Sequence, residues 1–448
     1  MKRWQVVQFA LIPEWGIVTI ENADSALPTT SPRTFTYFRG ARPSLTASSD
    51  EPGWDEAMRA VRKDVSDALS SKHVSFLMGS GVSSLRSEDG TELGIATMAP
   101  LAIEFLDSQD PTGLSENEIA VLVGELGIDV ADTQYVHNLE SLMEVLYGAR
   151  FVLVRSKRSS AAQTLATVDQ AISKIKRFIK QKCTVGNFTE GDESVSSLYT
   201  QFYLNLIQRD RSLMRPWIFT TNYDLFNETC LDRSGIPFIN GFMGSVERRF
   251  NPALFRYAIA ENLDVSSRKL MPVDSLIYLV KLHGSVSWEA RDDGLFPIVE
   301  THPAQVSHEQ FLIYPTPAKQ NASFASPYSD MFREFQSRVV REQSALFVLG
   351  YGFGDEHVNN IIFQALTIPT FRLIIFGDPS NAVISRLQAL DDPRIWIVGT
   401  QDPTATWRAH FFVNFVHEFM AFEGEDPADL AIANVLKNLI IPERSGSL

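Results

Sequence analysis

Cysteine is almost missing from this chain: Cys183 and Cys230 are the two in 448 residues. They lie far apart without metal-ligand spacing, so they offer neither a disulfide framework nor a four-cysteine zinc site, and a reducing cytoplasm is the expected setting. Long apolar runs are missing too. No stretch reaches the roughly 18 residues of a membrane-spanning helix, and no membrane association is expected. Met1-Lys2-Arg3 followed by residues 4–12 has the outline of a secretory signal, but Gln5, Gln8, Pro13 and Glu14 interrupt it and no small-residue cleavage site follows, so no signal peptide is expected. Positive charge is in deficit, 40 Lys and Arg against 54 Asp and Glu for a net charge of −14, which argues against direct nucleic-acid binding over a broad surface. There is no internal repeat and no low-complexity tract.

What remains is ordinary globular composition, 44% hydrophobic and 21% charged, in a chain long for one compact domain. Its most informative feature is a set of short apolar runs that each stop in glycine or polar residues. Residues 74–78 precede Gly79-Ser80-Gly81-Val82-Ser83, residues 217–219 precede Thr220-Thr221-Asn222-Tyr223-Asp224, and residues 276–280 lead to Leu282-His283-Gly284-Ser285. Residues 345–349 precede Gly350-Tyr351-Gly352-Phe353-Gly354-Asp355, residues 373–376 precede Gly377-Asp378-Pro379, and residues 395–398 precede Gly399. In an open parallel sheet ligands bind beyond the carboxyl ends of the strands, so these tails are expected to converge on one crevice of a nucleotide-binding enzyme.

Residues 1–54 read as an N-terminal β-hairpin, over residues 4–21 around Pro13-Glu14-Trp15, followed by a linker or extended arm at 26–53 that holds Pro28, Pro32, Pro43 and Pro52. Met58, Val61, Val65 and Leu69 recur at helical spacing over residues 55–71 and open a catalytic domain expected to span 55–400. A helical insertion is expected at about 101–213, clearest at 136–146, 162–179 and 196–207. After Trp217 strands and helices alternate, with crossover helices expected at 326–341 and 356–366. Residues 401–448 read as a helical tail, with helical spacing at 428–439. The fold class is therefore α/β, a Rossmann-like doubly wound parallel sheet with a helical insertion and an N-terminal hairpin and arm.

Each polar tail has a plain structural reading beside a chemical one. Glycines at 79 and 81 let backbone N–H groups approach a pyrophosphate, with a following helix adding its positive end, or they simply close a tight turn. Asn222 can hold a water or a hydroxyl that Asp224 orients, or Asp224 caps the next helix. His283 is a tuned base or a hydrogen-bonded rim residue. Asp355 caps a helix that carries His357 as a surface residue, and Asp378 accepts from a ribose hydroxyl or stabilises a turn.

Taken in order, GSGVS at 79–83, TTNYD at 220–224, LHGS at 282–285 and GYGFGD at 350–355 resemble the sirtuin family, in which a Gly-Ala-Gly-x-Ser loop, an Asn-x-Asp element and a His-Gly pair surround NAD. The runs PWIFTTNYDLFNE, FINGFMG, YLVKLHGSVSW, FLIYP and ALFVLGYGFGDEHVNNII are similar to bacterial sirtuin-like subunits paired with a HerA-type ATPase in antiphage defence, over about residues 70–380. The resemblance implies a sirtuin-like fold, NAD+ as substrate, and catalysis by Asn222, His283 and Asp224. It implies that Gly79, Ser80, Gly81 and Ser83 line the pyrophosphate and nearby ribose, with Thr221, Gly350, Tyr351, Gly352 and Asp378 as further NAD-binding positions. It also implies a homo-oligomer that assembles with a hexameric HerA-like ATPase.

The chain departs from deacylating sirtuins. Ser84-Leu85-Arg86 stands where they continue Gly-Ile-Pro-Asp-Phe-Arg, and the paired CxxC zinc module is absent, so no zinc is expected and a protein deacylase is the lesser reading. The expected reaction is hydrolysis of NAD+ to nicotinamide and ADP-ribose; a noncatalytic NAD-binding scaffold of an ATPase complex is the alternative from another class.

Overall fold

The structure, a computed structural model, describes residues 32–86, 92–107, 113–158, 160–184, 193–264, 269–291, 298–306, 311–313 and 327–420. The hairpin expected within 4–21 and the helix expected at 428–439 lie outside the described residues.

Nine strands form the central sheet: β1 Thr34–Arg39, β2 Pro43–Ser48, β3 His73–Met78, β4 Trp217–Thr220, β5 Phe238–Ile239, β6 Ile277–Lys281, β7 Ser344–Leu349, β8 Arg372–Phe376 and β9 Ile395–Gly399. They lie in the order β2-β1-β9-β8-β7-β3-β4-β6-β5, and β3 to β9 are parallel. Without the short β5, the order β6-β4-β3-β7-β8-β9 is the 3-2-1-4-5-6 order of dinucleotide-binding sheets. The chain steps away from β3 in one direction through β4 and returns at β7 on its other side. The switch point of the sheet therefore lies between β3 and β7, and the binding crevice is expected beyond the carboxyl ends of these strands.

The strands are buried on both faces, which is why they read as continuous apolar runs. Phe76, Ile218, Leu279, Phe347 and Ile374 pack into one core with the helix Trp54–Leu69 and the helical insertion. Their neighbours Leu77, Phe219, Val280, Val348 and Ile375 pack into a second core with the helices Tyr328–Val339, Glu356–Ala365 and Ala382–Ala389. The sheet is doubly wound, as the sequence predicts. Within residues 101–213 the main helices are Met98–Asp107, Glu116–Leu126, Leu139–Arg155, Ala161–Cys183 and Ser194–Leu206.

Three local expectations change. Residues 34–48 are not a free arm: β1 and β2 form a hairpin that extends the sheet, β1 pairing antiparallel with β9. Thr34 to Phe38 is a run of β-branched and aromatic residues whose Phe35 and Tyr37 are buried, and Pro43 opens the outer strand, where no further strand needs its N–H. The Gly79–Ser83 turn leads into no α-helix. It makes one 3-10 turn, Ser80–Val82, then an antiparallel ribbon of Ser84–Arg86 and Glu92–Gly94, because Gly81 N–H is drawn to Gly350 O and Ser83 O takes the N–H of Ile95. Finally, a second, five-stranded antiparallel sheet interrupts the βα alternation, with strands Phe242–Met243, Arg248–Phe250, Gly284–Ala290, Ile298–Glu300 and Phe311–Ile313. The chain leaves β6 at Lys281 and enters this sheet at Gly284, whose φ of 96° makes the bend. Leu282 and His283 form the joint between the two sheets.

Candidate functional site

The turns after β3 and β7 lie backbone on backbone at the switch point. Gly81 N–H donates to Gly350 O at 3.0 Å; a Cβ on Gly79 would come within 2.5 Å of Gly350 O, and one on Gly350, at φ +60°, within 2.6 Å of Val82 N. This close approach is what requires glycine. It also uses the amides: those of Gly79, Gly81, Val82 and Ser83 all donate within the protein. The turn presents the exposed Ser80 to the crevice rather than a row of free N–H groups.

Asn222 and Asp224 are anchored to the same turn. Asn222 Nδ2 donates to Gly79 O (3.0 Å) and to Ser83 Oγ (2.9 Å); since a carbonyl can only accept, this fixes the amide orientation. No donor among the described residues reaches its Oδ1, which is left for a ligand or water. Ser83, 1% exposed, is the node of the network: it donates to Asp224 Oδ2 (2.8 Å) and accepts from Asn222 and from Tyr199 Oη (2.9 Å). Burial holds the Tyr199 phenol well above its ordinary value, so it stays a donor. A hydroxyl has one proton and two lone pairs, and all three are engaged here, which makes Ser83 a positioning residue rather than a ribose ligand.

Asp224 is 2% exposed, and burial raises its carboxyl above the usual range against the opposing Lys281 ammonium and Ser83 hydroxyl. Its Oδ1 accepts from Phe226 N–H (3.1 Å), the first residue of the helix Phe226–Arg233, although the N-cap position itself is Leu225, and the residue also lines a cavity with Asn222 and His283. Beneath the turn, Lys281 Nζ donates to Asp224 O and pairs with Glu228 at 3.1 Å. Burial pushes Glu228 up to about 7, and Lys281 opposes the shift.

His283 is 3% exposed, and its Nε2 lies 2.9 Å from Asp355 Oδ2. Burial pushes the Asp355 carboxyl up, but the His283 hydrogen bond and charge, with the N–H groups of Val358 and His357 on Oδ1, outweigh it and hold the group at about 2. An ionised Asp355 can only accept, so Nε2 carries a proton, and whenever the ring is neutral Nδ1 is its basic nitrogen. Glu140, from the insertion helix Leu139–Arg155, brings Oε1 to 3.8 Å from Nδ1 and accepts from Tyr223 Oη at 2.6 Å. Asp355 thus uses one oxygen as a helix cap and the other to orient the histidine.

Ser80, Ser83, Thr221, Asn222, Asp224 and His283 surround a cavity of about 250 Å³, joined by Tyr351, Gly352 and Asp355. A second cavity of about 380 Å³ adjoins it across Tyr351 and Gly352 and is lined by Gly81, Gly350 and Asp378. Gly79 lines neither and acts from below, through its carbonyl on Asn222. Two linked subsites of this size suit a dinucleotide whose halves lie either side of the Gly350–Gly352 turn. Asp378 Oδ1 holds its own turn through Ser380 N–H (2.8 Å).

Several lining residues are absent from the sequence prediction. Asn138, Glu140, Ile95, Met98 and Leu101 come from the insertion and the segment before it, and Cys183 from the end of its longest helix. Arg408 and His410 come from the segment after β9. Burial lowers His410 to about 4, so the ring is neutral, and its Nδ1 accepts from Thr400 N–H (3.3 Å). Only Asp355 carried a signal, its place at the end of the polar tail GYGFGD that follows a strand. Among the described residues no three His, Cys, Asp or Glu side chains are grouped to hold a metal ion, and no helix is long and apolar enough to cross a membrane.

No curated protein matches the chain. Among solved structures, cytosolic 5'-nucleotidase IIIB bound to cytidine aligns at 9% identity over 82% of this chain and 91% of that chain, with a TM-score of 0.25. Residues 216–377 match the family model of the SIR2-like domain. That stretch runs from the start of β4 to just past β8 and carries Asn222, Asp224, His283 and Asp355, so the half of the crevice that holds the histidine is similar to a SIR2-like domain.

Proposed function

We propose that this chain is an NAD+ glycohydrolase that releases nicotinamide and ADP-ribose. The observation that carries the reading is the convergence of Asn222 Oδ1, the buried Asp224 and the His283–Asp355 pair on one cavity beside a second cavity that holds Asp378. Cleavage of an N-glycosidic bond passes through an oxocarbenium-like state, which needs negative charge near the ribose and a placed water. The C–N bond breaks with its electron pair leaving on nicotinamide, which departs neutral and needs no acid. Water held by Asn222 forms the new C–O bond, and its proton passes to His283, whose tautomer Asp355 sets. Asp224 and Glu140 supply the charge that favours the cationic state.

The sequence resemblance extends the proposal to bacterial antiphage defence, in which a homo-oligomer acts with a hexameric HerA-like ATPase in the cytoplasm and depletes NAD+. A noncatalytic NAD-binding scaffold of an ATPase complex is the rival reading, the alternative that the sequence offers from another class. The two separate on incubation with NAD+, alone and with a cognate ATPase, while nicotinamide and ADP-ribose are followed. Release is expected from the native chain, with a loss of about a hundredfold or more in Asn222→Ala and His283→Ala. Tight NAD+ binding without turnover under both conditions would establish the scaffold instead.

A further inference from the structure

The sheet has a second concave end. At the amino-terminal ends of β3, β4 and β6, opposite the crevice, a cavity of about 380 Å³ is lined by His73, Trp217 and four arginines, Arg215, Arg256, Arg338 and Arg341. No Asp or Glu lines it among the described residues, although the chain as a whole carries a net charge of −14. Two of the arginines are fixed. Arg215 pairs with Asp274 at 2.6 Å, and Arg338 pairs with Glu334 at 3.1 Å while its guanidinium lies 4.1 Å from the centre of the Trp217 ring. Arg256 and Arg341 have no carboxylate in reach among the described residues. The crowding is felt by the neighbours: burial and then Arg341, Lys72, Arg209 and Arg338 lower His73 to about 4, and burial with Arg338 lowers Arg341 itself. Like charges gathered in a partly desolvated cavity oppose folding unless an anion takes up their field.

We propose that this cavity binds the phosphate group of a small phosphorylated ligand. Several guanidinium forks converging from different elements match an anion with three or more oxygens on one centre and more than one charge, which a carboxylate does not offer. Arg338 and Arg215 form the rigid wall, Arg256 and Arg341 supply the uncommitted charge, and the neutral His73 ring adds a hydrogen-bond donor.

Equilibrium dialysis with inorganic triphosphate tests this. Arg341→Glu is expected to weaken binding by at least about tenfold, the loss of one charge-assisted contact, and Arg256→Glu by less. Arg158→Glu, an equal charge change at an exposed position outside the cavity, is expected to leave binding unchanged. Thermal melting monitors the fold; if Arg341→Glu unfolds, Arg341→Gln carries the same expectation with a smaller loss. Equal binding by the Arg341 and Arg158 variants overturns the proposal. So does displacement of triphosphate by succinate as effectively as by pyrophosphate, which would assign the site to carboxylates. Displacement by a short single-stranded oligonucleotide at lower concentration than by pyrophosphate overturns it in favour of a nucleic-acid backbone.

Discussion

His283 and His73 sit at opposite ends of one parallel sheet, the first just past the end of β6 and the second at the start of β3. Carboxylates surround the first, with Asp355 at 2.9 Å and Glu140 at 3.8 Å; arginines surround the second, whose pKa burial and then those cations lower to about 4. In the crevice the polar groups, Asn222 Oδ1 apart, are largely matched inside the protein: Ser83 has its full set of hydrogen bonds, Asp355 divides its oxygens between a cap and a ring, and Lys281 holds both Glu228 and a turn carbonyl. At the other end two guanidiniums are matched and, among the described residues, two have no carboxylate in reach. Internal matching holds a constellation in place for chemistry. An unmatched set of like charges is what the proposed anion would complement.

The largest break in this contrast is expected from Asp355→Asn. The asparagine keeps an acceptor for His357 and Val358 N–H but no longer dictates which ring nitrogen of His283 holds the proton, so nicotinamide release is expected to fall about a hundredfold with kcat affected more than KM. Stability should fall as well. The folded pKa of Asp355, about 2, lies below its ordinary value, so the stabilisation is present above the ordinary value and lost as pH falls through 2; at neutral pH it is about 2 kcal/mol. A melt showing that loss with unchanged turnover would reduce the pair to a structural role.

Much of this was legible in the sequence because fully buried parallel strands declare themselves as apolar runs, and because Asn222, Asp224 and His283 each lie directly after one. What was not legible depends on three-dimensional return. Glu140 and Asn138 belong to an insertion read only as helical, and they reach the site because that insertion packs on the sheet face beside the crevice. The second sheet was hidden because its strands Phe242–Met243 and Arg248–Phe250 are very short and its long strand buries Ser285 and Ser287 among apolar residues. The prolines of 26–53 masked the alternation of Phe35 and Tyr37. The glycines at 79, 81 and 350 were visible as glycines, but their mutual contact required the strand order. The basic cavity draws its arginines from Arg215, Arg256, Arg338 and Arg341, too scattered for any charge run to announce it.

A smaller effect separates the two ends by pH. For His73 the folded pKa, about 4, lies below the ordinary 6.5, so the unfolded chain takes up a proton first and stability declines as pH falls from 6.5 through 4. The half-buried position and solvent screening reduce the cost to about 1 kcal/mol. His73→Gln is expected to flatten that part of a melting-temperature profile while leaving the decline near pH 2, which belongs to Asp355, in place. Equal slopes in the two proteins between pH 6.5 and 4 would show that neither burial nor the surrounding cations depress His73.

The smallest expected change, and the one that asks most about the carboxylate side, is Glu140→Gln. Glutamine keeps an acceptor for the Tyr223 hydroxyl, which donates at 2.6 Å, so the insertion helix should stay docked and the melting temperature should hold. What it removes is a negative charge 3.8 Å from His283 Nδ1, a distance at which the interaction is electrostatic rather than a hydrogen bond. If that charge steadies the histidine as it takes up a proton, kcat should fall about threefold with KM unchanged, well short of the Asp355→Asn loss. A loss in Glu140→Gln as large as in Asp355→Asn would make Glu140 an equal partner in the proton transfer. No loss in Glu140→Gln alongside a large one in Glu140→Ala would leave it only the task of holding Tyr223 against the cavity.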